Sequence, residues 1–275
     1  MIMTAAERKE LRLRKFFRSH PGCLVALSGG VDSSYLALVA FQELGDQMLA
    51  VTGVSPSVPE AMKELTRDFT GTLQIPHRFI PTGELRIRQY RKNEGDRCYW
   101  CKRDLMIRLR TLALKRGFRY LIEGTQGSDI GDHRPGMRAL KELKVMSPLL
   151  DIGFTKTEIR TNARRHGIAH HNLPESACLA SRVLEGTPVT RHKLSIIEEG
   201  EAFLTKMGFR QVRLRHHGNL ARIEVGPKEV PLLINGRLRS RVAARMRRLG
   251  FAFVALDLEG YKRGGGNVRI KHEHQ

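Results

Sequence analysis

Hydrophobic and polar positions along the chain alternate between two periods. Segments 24–27, 48–52, 77–81 and 120–123 have the length of strands, and the first, LVAL, has the unbroken apolar character of a strand covered on both faces. Helical spacing of apolar residues follows: Tyr35 to Phe41, then Met62, Leu65 and Phe69 behind Ser57 and Pro59, a short stretch at 84–90, and a strong helix over 104–115. Residues 128–148 combine a polar loop with a short helix, and Thr155 with Glu158 forms the capping box of another. Strands alternating with helices predict an α/β fold on a doubly wound parallel sheet, with ligands at the carboxyl ends of the strands. The pattern changes at Gly186-Thr187-Pro188. Beyond it lie an amphipathic helix (191–207), two strands joined by His217-Gly218-Asn219, a basic helix (228–249) and a strand (251–256). We therefore expect a first domain over 1–185 and a smaller C-terminal α+β domain over 186–275, ending in a loose tail, RGGGNVRIKHEHQ.

The turn after the first strand carries the first chemical signal. Ser28-Gly29-Gly30-Val31-Asp32-Ser33-Ser34 joins a strand to a helix, with two glycines where a Cβ would obstruct close approach and hydroxyls gathered at a helix N-terminus. Such a turn suits phosphate. It is not a Walker loop, since no Gly-Lys-Ser/Thr follows.

Composition narrows the setting. Lys and Arg number 48 against 28 Asp and Glu, a net charge of +20 that favours polyanionic partners, nucleic acid first among them, although no known nucleic-acid module is recognisable. No apolar run approaches a membrane span, and residues 1–20 are charged throughout, which predicts a basic amphipathic helix packing through Leu11, Leu13, Phe16 and Phe17 rather than a secretory signal. A cytoplasmic protein is expected. Of four cysteines, Cys23 adjoins the first strand and reads as core, Cys98 and Cys101 form C-x-x-C, and Cys178 stands in a separate polar segment. The three outside the strands are compatible with a redox pair, with zinc completed by a histidine such as His170 or His171, or with an iron–sulfur cluster. They are equally compatible with never meeting.

Five motifs occur in order: SGGVDSS, NEGDRCYWCK, EGTQGSDIGDHRPGMRAL, ESACLASR and VRLRHHGNLARIEV. Together they resemble the ATP-dependent sulfur transferases (LarE type) of nickel-pincer nucleotide biosynthesis, in the ATP-pyrophosphatase superfamily. The resemblance runs from about Pro21 to Phe253. It implies a fold of the adenine nucleotide alpha hydrolase type and ATP with Mg²⁺ as cosubstrate and cofactor. The implied reaction is adenylation and thiolation of a carboxylate of pyridinium-3,5-biscarboxylic acid mononucleotide. Ser28, Gly29, Gly30, Asp32, Ser33, Gly124 and Thr125 match the nucleotide site, with Asp32 for Mg²⁺ and Ser33 or Ser34 for phosphate. Cys98, Cys101 and Cys178 match a three-cysteine subtype carrying a [4Fe–4S] cluster; other members sacrifice the cysteine at the position of Cys178. Arg182, Arg213 and Arg215, joined by Ser181, match clamps for phosphate or carboxylate, whose oxygens a guanidinium fork engages in pairs. Arg213 and Arg215 alternate along a strand and so share a face. Trp100, the only tryptophan, is a candidate stacking partner for the pyridinium or adenine ring. The family also implies a sulfur donor and a homo-oligomer. Val54, where a polar residue is usual, and EGTQ in place of DGTN depart from the pattern around the nucleotide. Two rivals are a tRNA thiolation enzyme, which the charge favours, and a nucleotide- or metal-binding regulator without activity.

Overall fold

The computed structural model describes residues 3–127, 135–174, 177–234 and 236–262. The tail from Arg263 and the polar loop at 128–134 lie outside the described residues. Two compact units are formed, one from Met1–Tyr90 and Asp96–Ser176, the other from Arg91–Gly95 and Ala177–Gln275. The second unit thus begins ahead of Gly186.

The first unit carries α1 (Ala5–Arg18), β1 (Cys23–Ala26), α2 (Val31–Leu44), β2 (Met48–Val54), α3 (Glu60–Thr72), β3 (His77–Pro81), α4 (Arg88–Lys92, whose last two residues belong to the second unit), α5 (Arg97–Lys115), β4 (Tyr120–Ile122), α6 (Pro135–Glu142), α7 (Pro148–Ile152) and α8 (Lys156–Arg165). Its four strands are all parallel in the order β3-β2-β1-β4. The chain builds outward from β1 to β3, then returns to place β4 on the other side of β1. That reversal creates a crevice at the carboxyl ends of β1 and β4. Alternation along the strands supplies two cores. Val25, Ala50 and Ile122 pack with Leu13, Phe17, Leu36, Phe154 and Ile159, whereas Leu24, Leu49, Val51 and Leu121 pack with Met106, Leu109 and Leu140 of α5 and α6. Cys23 is buried in the first core, where desolvation pushes its thiol up to about 12. Among the described residues no helix is long and apolar enough to cross a membrane.

The second unit adds α9 (Arg191–Lys206), β5 (Val212–His217), β6 (Leu220–Val225), α10 (Val230–Ile234), α11 (Gly236–Arg248) and β7 (Phe253–Leu256). Its sheet runs β5-β6-β7, antiparallel then parallel. Val212, Leu214, Ala221, Ile223 and Val225 share a core with Leu204 of α9 and with Val242 and Met246 of α11. The short segment Arg91–Gly95 belongs here because Asn93 ties it down: its side-chain amide donates to Val183 O (3.3 Å), Leu184 O (2.9 Å) and Thr187 O (3.2 Å).

Three local expectations change. The helix expected from Asp104 begins at Arg97 and takes in both cysteines, because Asp96 accepts the Trp100 indole N–H (2.6 Å) and its carbonyl accepts Tyr99 N–H (2.9 Å), closing a first turn. Ser57 does not cap α3; its hydroxyl hydrogen-bonds the Tyr90 hydroxyl (2.7 Å), leaving Pro59 at the cap position. The basic helix expected over 228–249 is two helices, α10 and α11, preceded by a 3₁₀ turn at Pro227–Glu229.

A buried carboxylate joins α1 to the rest of the first unit. Glu10 accepts from Arg14 (2.9 Å), the Tyr35 hydroxyl (3.1 Å) and His166 Nε2 (2.9 Å), and Asn162 donates to the same Tyr35 oxygen (3.0 Å). Burial works to raise the Glu10 carboxyl, but the hydrogen bonds from His166 and Arg14 outweigh it and hold it at about 2. A carboxyl depressed in the folded state contributes stability that is complete above its unfolded value of about 4.5 and is lost as pH falls toward the folded value. The depression corresponds to roughly 3 kcal/mol at most. Glu10→Gln is therefore expected to lower stability in urea unfolding at pH 7, with the gap to wild type closing between pH 4.5 and pH 2. A gap that stays constant over that range would show that the carboxylate's charge is not what anchors α1.

Candidate active site

The phosphate-type turn leaves β1 and enters α2 without a side-chain cap: Gly30 occupies the cap position with an extended backbone, so the helix presents its amino end uncovered by any side chain of its own. The turn is braced from within. Ser33 donates its hydroxyl to Gly30 O (3.0 Å) and receives Ser28 N–H (3.1 Å), and the two serine hydroxyls are 3.0 Å apart. Gly29 sits at φ +81°, and a Cβ there would lie 2.6 Å from Thr66 Oγ1 and 3.3 Å from Met62 O of α3. Ser34 turns the other way, into the core, where its hydroxyl meets buried His170 Nε2 at 2.9 Å. Burial holds His170 below the ordinary histidine value, so it is a neutral core partner. His171 bonds its neighbour Ile168 O (2.9 Å).

The turn forms one wall of a cleft of about 340 Å³ at the carboxyl ends of the strands. Thr52 and Gly53 line it from β2, Lys102, Leu105 and Met106 from α5, and Glu123, Gly124 and Thr125 from the turn after β4. Two lysine–carboxylate pairs border the turn. Lys156, at the start of α8, donates to Asp32 Oδ2 (2.6 Å), and Lys102 donates to Glu123 Oε2 (3.2 Å). Burial alone would raise the Glu123 carboxyl. The charge of Lys102 and hydrogen bonds from Ser147 (2.6 Å) and Thr125 overcome it and hold the group ionised below the usual range. Asp32, Lys102 and Glu123 in the cleft, Lys156 paired to Asp32, and an open helix terminus make a setting suited to a highly charged anion with a cation. Lys102 and Lys156 were not singled out by sequence. Lys102 ends the CYWCK motif and was legible there, whereas Lys156 reads locally as an ordinary first-turn residue.

Cys98 and Cys101 lie one turn apart on the first turns of α5, the former exposed and the latter half-buried. Lys102, on the same helix, lies in the cleft wall. Trp100 is held by Asp96 and packs edge-on against Tyr99 (5.0 Å) with its ring half-exposed. Cys178 belongs to the second unit. Among the described residues no three His, Cys, Asp or Glu side chains are gathered to hold a metal ion.

The second unit builds an arginine-rich setting around Cys178, which caps a 3₁₀ turn at Leu179–Arg182. Arg182 is almost wholly buried, 1% exposed, with its guanidinium paired to both oxygens of Glu201 (2.9 and 3.1 Å). Its remaining nitrogen donates to Ala177 O (2.6 Å), Cys178 O (3.0 Å) and Ser181 Oγ (3.1 Å), and Ser181 Oγ donates to Cys178 O (2.9 Å). Arg215 repeats the pattern: Glu224 takes two of its nitrogens at 2.9 Å, and the third donates to Ser181 O (3.0 Å). Both arginines therefore fix the backbone that presents Cys178. Arg213 lies over the Tyr261 ring (4.9 Å) and donates to Val212 O (2.7 Å), and burial, followed by the charge of Arg182, pulls its guanidinium below the ordinary value. Glu201 and Glu224 act only through pairing across the fold, which no local pattern announces. His216 faces Phe251 (5.2 Å) on the apolar side of the sheet, and burial keeps it neutral.

Gly124 is where this geometry is least forgiving. An added Cβ would lie 3.0 Å from Ser33 Cα and 3.1 Å from Ser33 N, both backbone atoms of the phosphate-type turn. Gly124→Ala is expected to weaken pyrophosphate or ATP binding about tenfold in calorimetric titration, a change of ~1.4 kcal/mol, while circular dichroism stays native. Unchanged affinity would mean that the turn moves without consequence.

No family model matches the chain. It is 37% identical to an uncharacterized protein of Synechocystis sp. over 94% of this chain and 96% of that relative. It is 30% identical to the pyridinium-3,5-bisthiocarboxylic acid mononucleotide synthase of Lactiplantibacillus plantarum over 88% of both chains. It is also 31% identical to a subunit of the glutamine-hydrolyzing GMP synthase of Pyrococcus horikoshii, over 66% of this chain and 63% of that relative. An α/β unit whose strand-to-helix turn leaves the helix uncapped, with a small α+β unit, fits these relationships: the chain belongs to the LarE family of ATP-pyrophosphatase-type proteins, that of the pyridinium-3,5-bisthiocarboxylic acid mononucleotide synthase.

Proposed function

We propose that this protein is an ATP-dependent sulfur transferase that activates a carboxylate of pyridinium-3,5-biscarboxylic acid mononucleotide and converts it to a thiocarboxylate. One observation supports this most strongly: α5 carries Cys98 and Cys101 on its first turns and Lys102, the next residue, in the wall of the phosphate-type cleft. The two thiols and part of the cleft wall thus share a helix.

A carboxylate resists substitution because oxide is a prohibitive leaving group. In the proposed reaction a substrate carboxylate oxygen attacks the α-phosphorus of ATP, the bond to the β-phosphate oxygen breaks, and pyrophosphate departs. A sulfur nucleophile then adds to the acyl carbon and AMP leaves. The Ser28–Ser33 turn and the amino end of α2 receive the phosphates, for which Lys102 and Lys156 exchange their carboxylate partners. Asp32, released from Lys156, is the residue we assign to Mg²⁺. Gly124 and Thr125 shape the nucleotide wall, and Trp100 offers its ring for stacking. Arg182, Arg215 and Ser181 position Cys178, while Arg213 attracts the substrate's phosphate or carboxylates.

Cys98, Cys101 and Cys178 are the sulfur-handling set. Three thiols are the right donors in kind for a [4Fe–4S] cluster, and such a cluster, when bound, supplies an iron open to exogenous sulfide. Among the described residues no three such side chains are gathered as a metal site. A sulfur donor, a homo-oligomer and a cytoplasmic location complete the proposal.

Pyrophosphate release is expected only with ATP, Mg²⁺ and the pyridinium dicarboxylate mononucleotide together, and is expected to fall at least about a hundredfold in Asp32→Asn, the scale of one lost electrostatic contact. Release triggered by RNA, or by no added acceptor, overturns the substrate assignment. Anaerobic reconstitution with iron and sulfide, followed by iron analysis and electron paramagnetic resonance of wild type and Cys98→Ala, tests the thiols. About four irons per chain, lost in the variant, support the cluster. Its absence, with conversion of Cys178 to dehydroalanine seen by mass spectrometry after turnover, replaces it with sacrifice of that side chain.

A further inference from the structure

The net charge of +20 is far more than a mononucleotide and ATP require. Much of it is concentrated in the second unit. Helix α11, GRLRSRVAARMRR, holds six arginines and no acidic residue. Arg239, Arg241, Arg247 and Arg248 are exposed, while the apolar side of the helix, Val242 and Met246, is buried in the core of the unit. Helix α9 packs alongside in the opposite direction: Glu199 accepts Arg245 (3.1 Å) near one end, and Phe203, Lys206 and Met207 meet Leu238 and Arg241 toward the other. At that end the two helices enclose a hollow of about 520 Å³, with Phe203, Met207 and Leu238 as half-buried apolar lining and Lys206 and Arg241 as its cations. Exposed Arg210 lies four residues beyond the end of α9. The nearby carboxylates of Glu199 and Glu201 are engaged by Arg245 and Arg182.

We propose that this α9–α11 surface binds single-stranded RNA, with backbone phosphates on Lys206, Arg241 and the α11 arginines and a base against Phe203 and Met207. The combination of cations with an aromatic, apolar hollow is that of a strand-binding site, where charge tracks the backbone and a π-face accepts an unstacked base. A membrane surface fits less well, because a basic helix enters the headgroup region through an exposed apolar face, and the apolar face of α11 is consumed by the core. Duplex DNA fits less well too, because the aromatic, apolar lining of the hollow can take a base only once it is unstacked from a duplex. The site stands apart from the sulfur-transfer reading and survives or fails independently of it.

Fluorescence anisotropy of the full-length protein with labelled dodecameric oligouridylate tests the proposal. Binding is expected at 50 mM salt and is expected to weaken steeply as salt rises. Lys206→Glu/Arg241→Glu should raise Kd at least about tenfold, and Lys206→Gln/Arg241→Gln should lower the slope of log K against log salt by about 1.4, the share of two single-strand phosphate contacts. Arg12→Glu/Lys15→Glu, which makes the same charge change on exposed positions of α1, should alter Kd less than twofold. Equal losses in the two reversal variants, or no wild-type binding at 50 mM salt, overturn the site. So does equal binding of the matching oligothymidylate, or a Lys206- and Arg241-dependent affinity for phosphatidylserine vesicles in place of RNA. Thermal melts of each variant within a few degrees of wild type establish that the losses are not unfolding.

Discussion

A parallel strand that runs into a helix leaves that helix's first N–H groups pointing at the carboxyl edge of the sheet, and something must occupy the space in front of them. In this protein the constraint is met with Gly30 at the cap, which contributes no side chain, while Ser28 and Ser33 bind each other and the backbone to hold the turn's shape. The remaining cleft follows from keeping that terminus open. Gly29 lets α3 close down on the turn, and Gly124 lets the turn after β4 approach the backbone of Ser33. The strand order puts β4 beside β1, so residues far apart in the chain, Ser28 and Glu123, line the same space.

Charge is handled the same way in both units, by pairing within the protein. In the cleft, Asp32 and Glu123 each hold a lysine that a polyphosphate can compete for, since both lysines remain partly exposed. In the second unit the pairs are different in kind. Arg182 and Arg215 are buried, and their bidentate glutamates and carbonyl acceptors satisfy every guanidinium nitrogen. Removing either partner would leave an uncompensated buried charge, which costs far more than the loss of a surface pair. These arginines are therefore rigid supports for the Ala177–Ser181 backbone.

The same distinction governs α11. Its buried side is apolar and local in pattern, and its exposed side carries Arg239, Arg241, Arg247 and Arg248 on a helix that has no acidic residue of its own. Surface charge of this kind contributes little to folding. It affects what the protein attracts.

The four parallel strands, the glycine turn between β1 and α2 and the paired strands β5 and β6 of the second unit were legible in the sequence, because each rests on local spacing: apolar runs of strand length, a Gly-Gly between strand and helix, alternation on β5; the division of the basic helix into α10 and α11 was not. The start of α5 was not, since it depends on Asp96 reaching Trp100 and on a turn closing around residues that read as a polar loop. Nor were the roles of Glu10, Lys156, Glu201 and Glu224, whose partners lie elsewhere in the chain and announce no pattern of their own. Arg182 and Arg215 look alike in sequence to any exposed clamp; only folding determines that their donors turn inward. Local sequence set the elements and the kinds of chemistry. The tertiary structure decided which charges face each other, because burial and pairing are properties of neighbours that the chain brings together only when it closes.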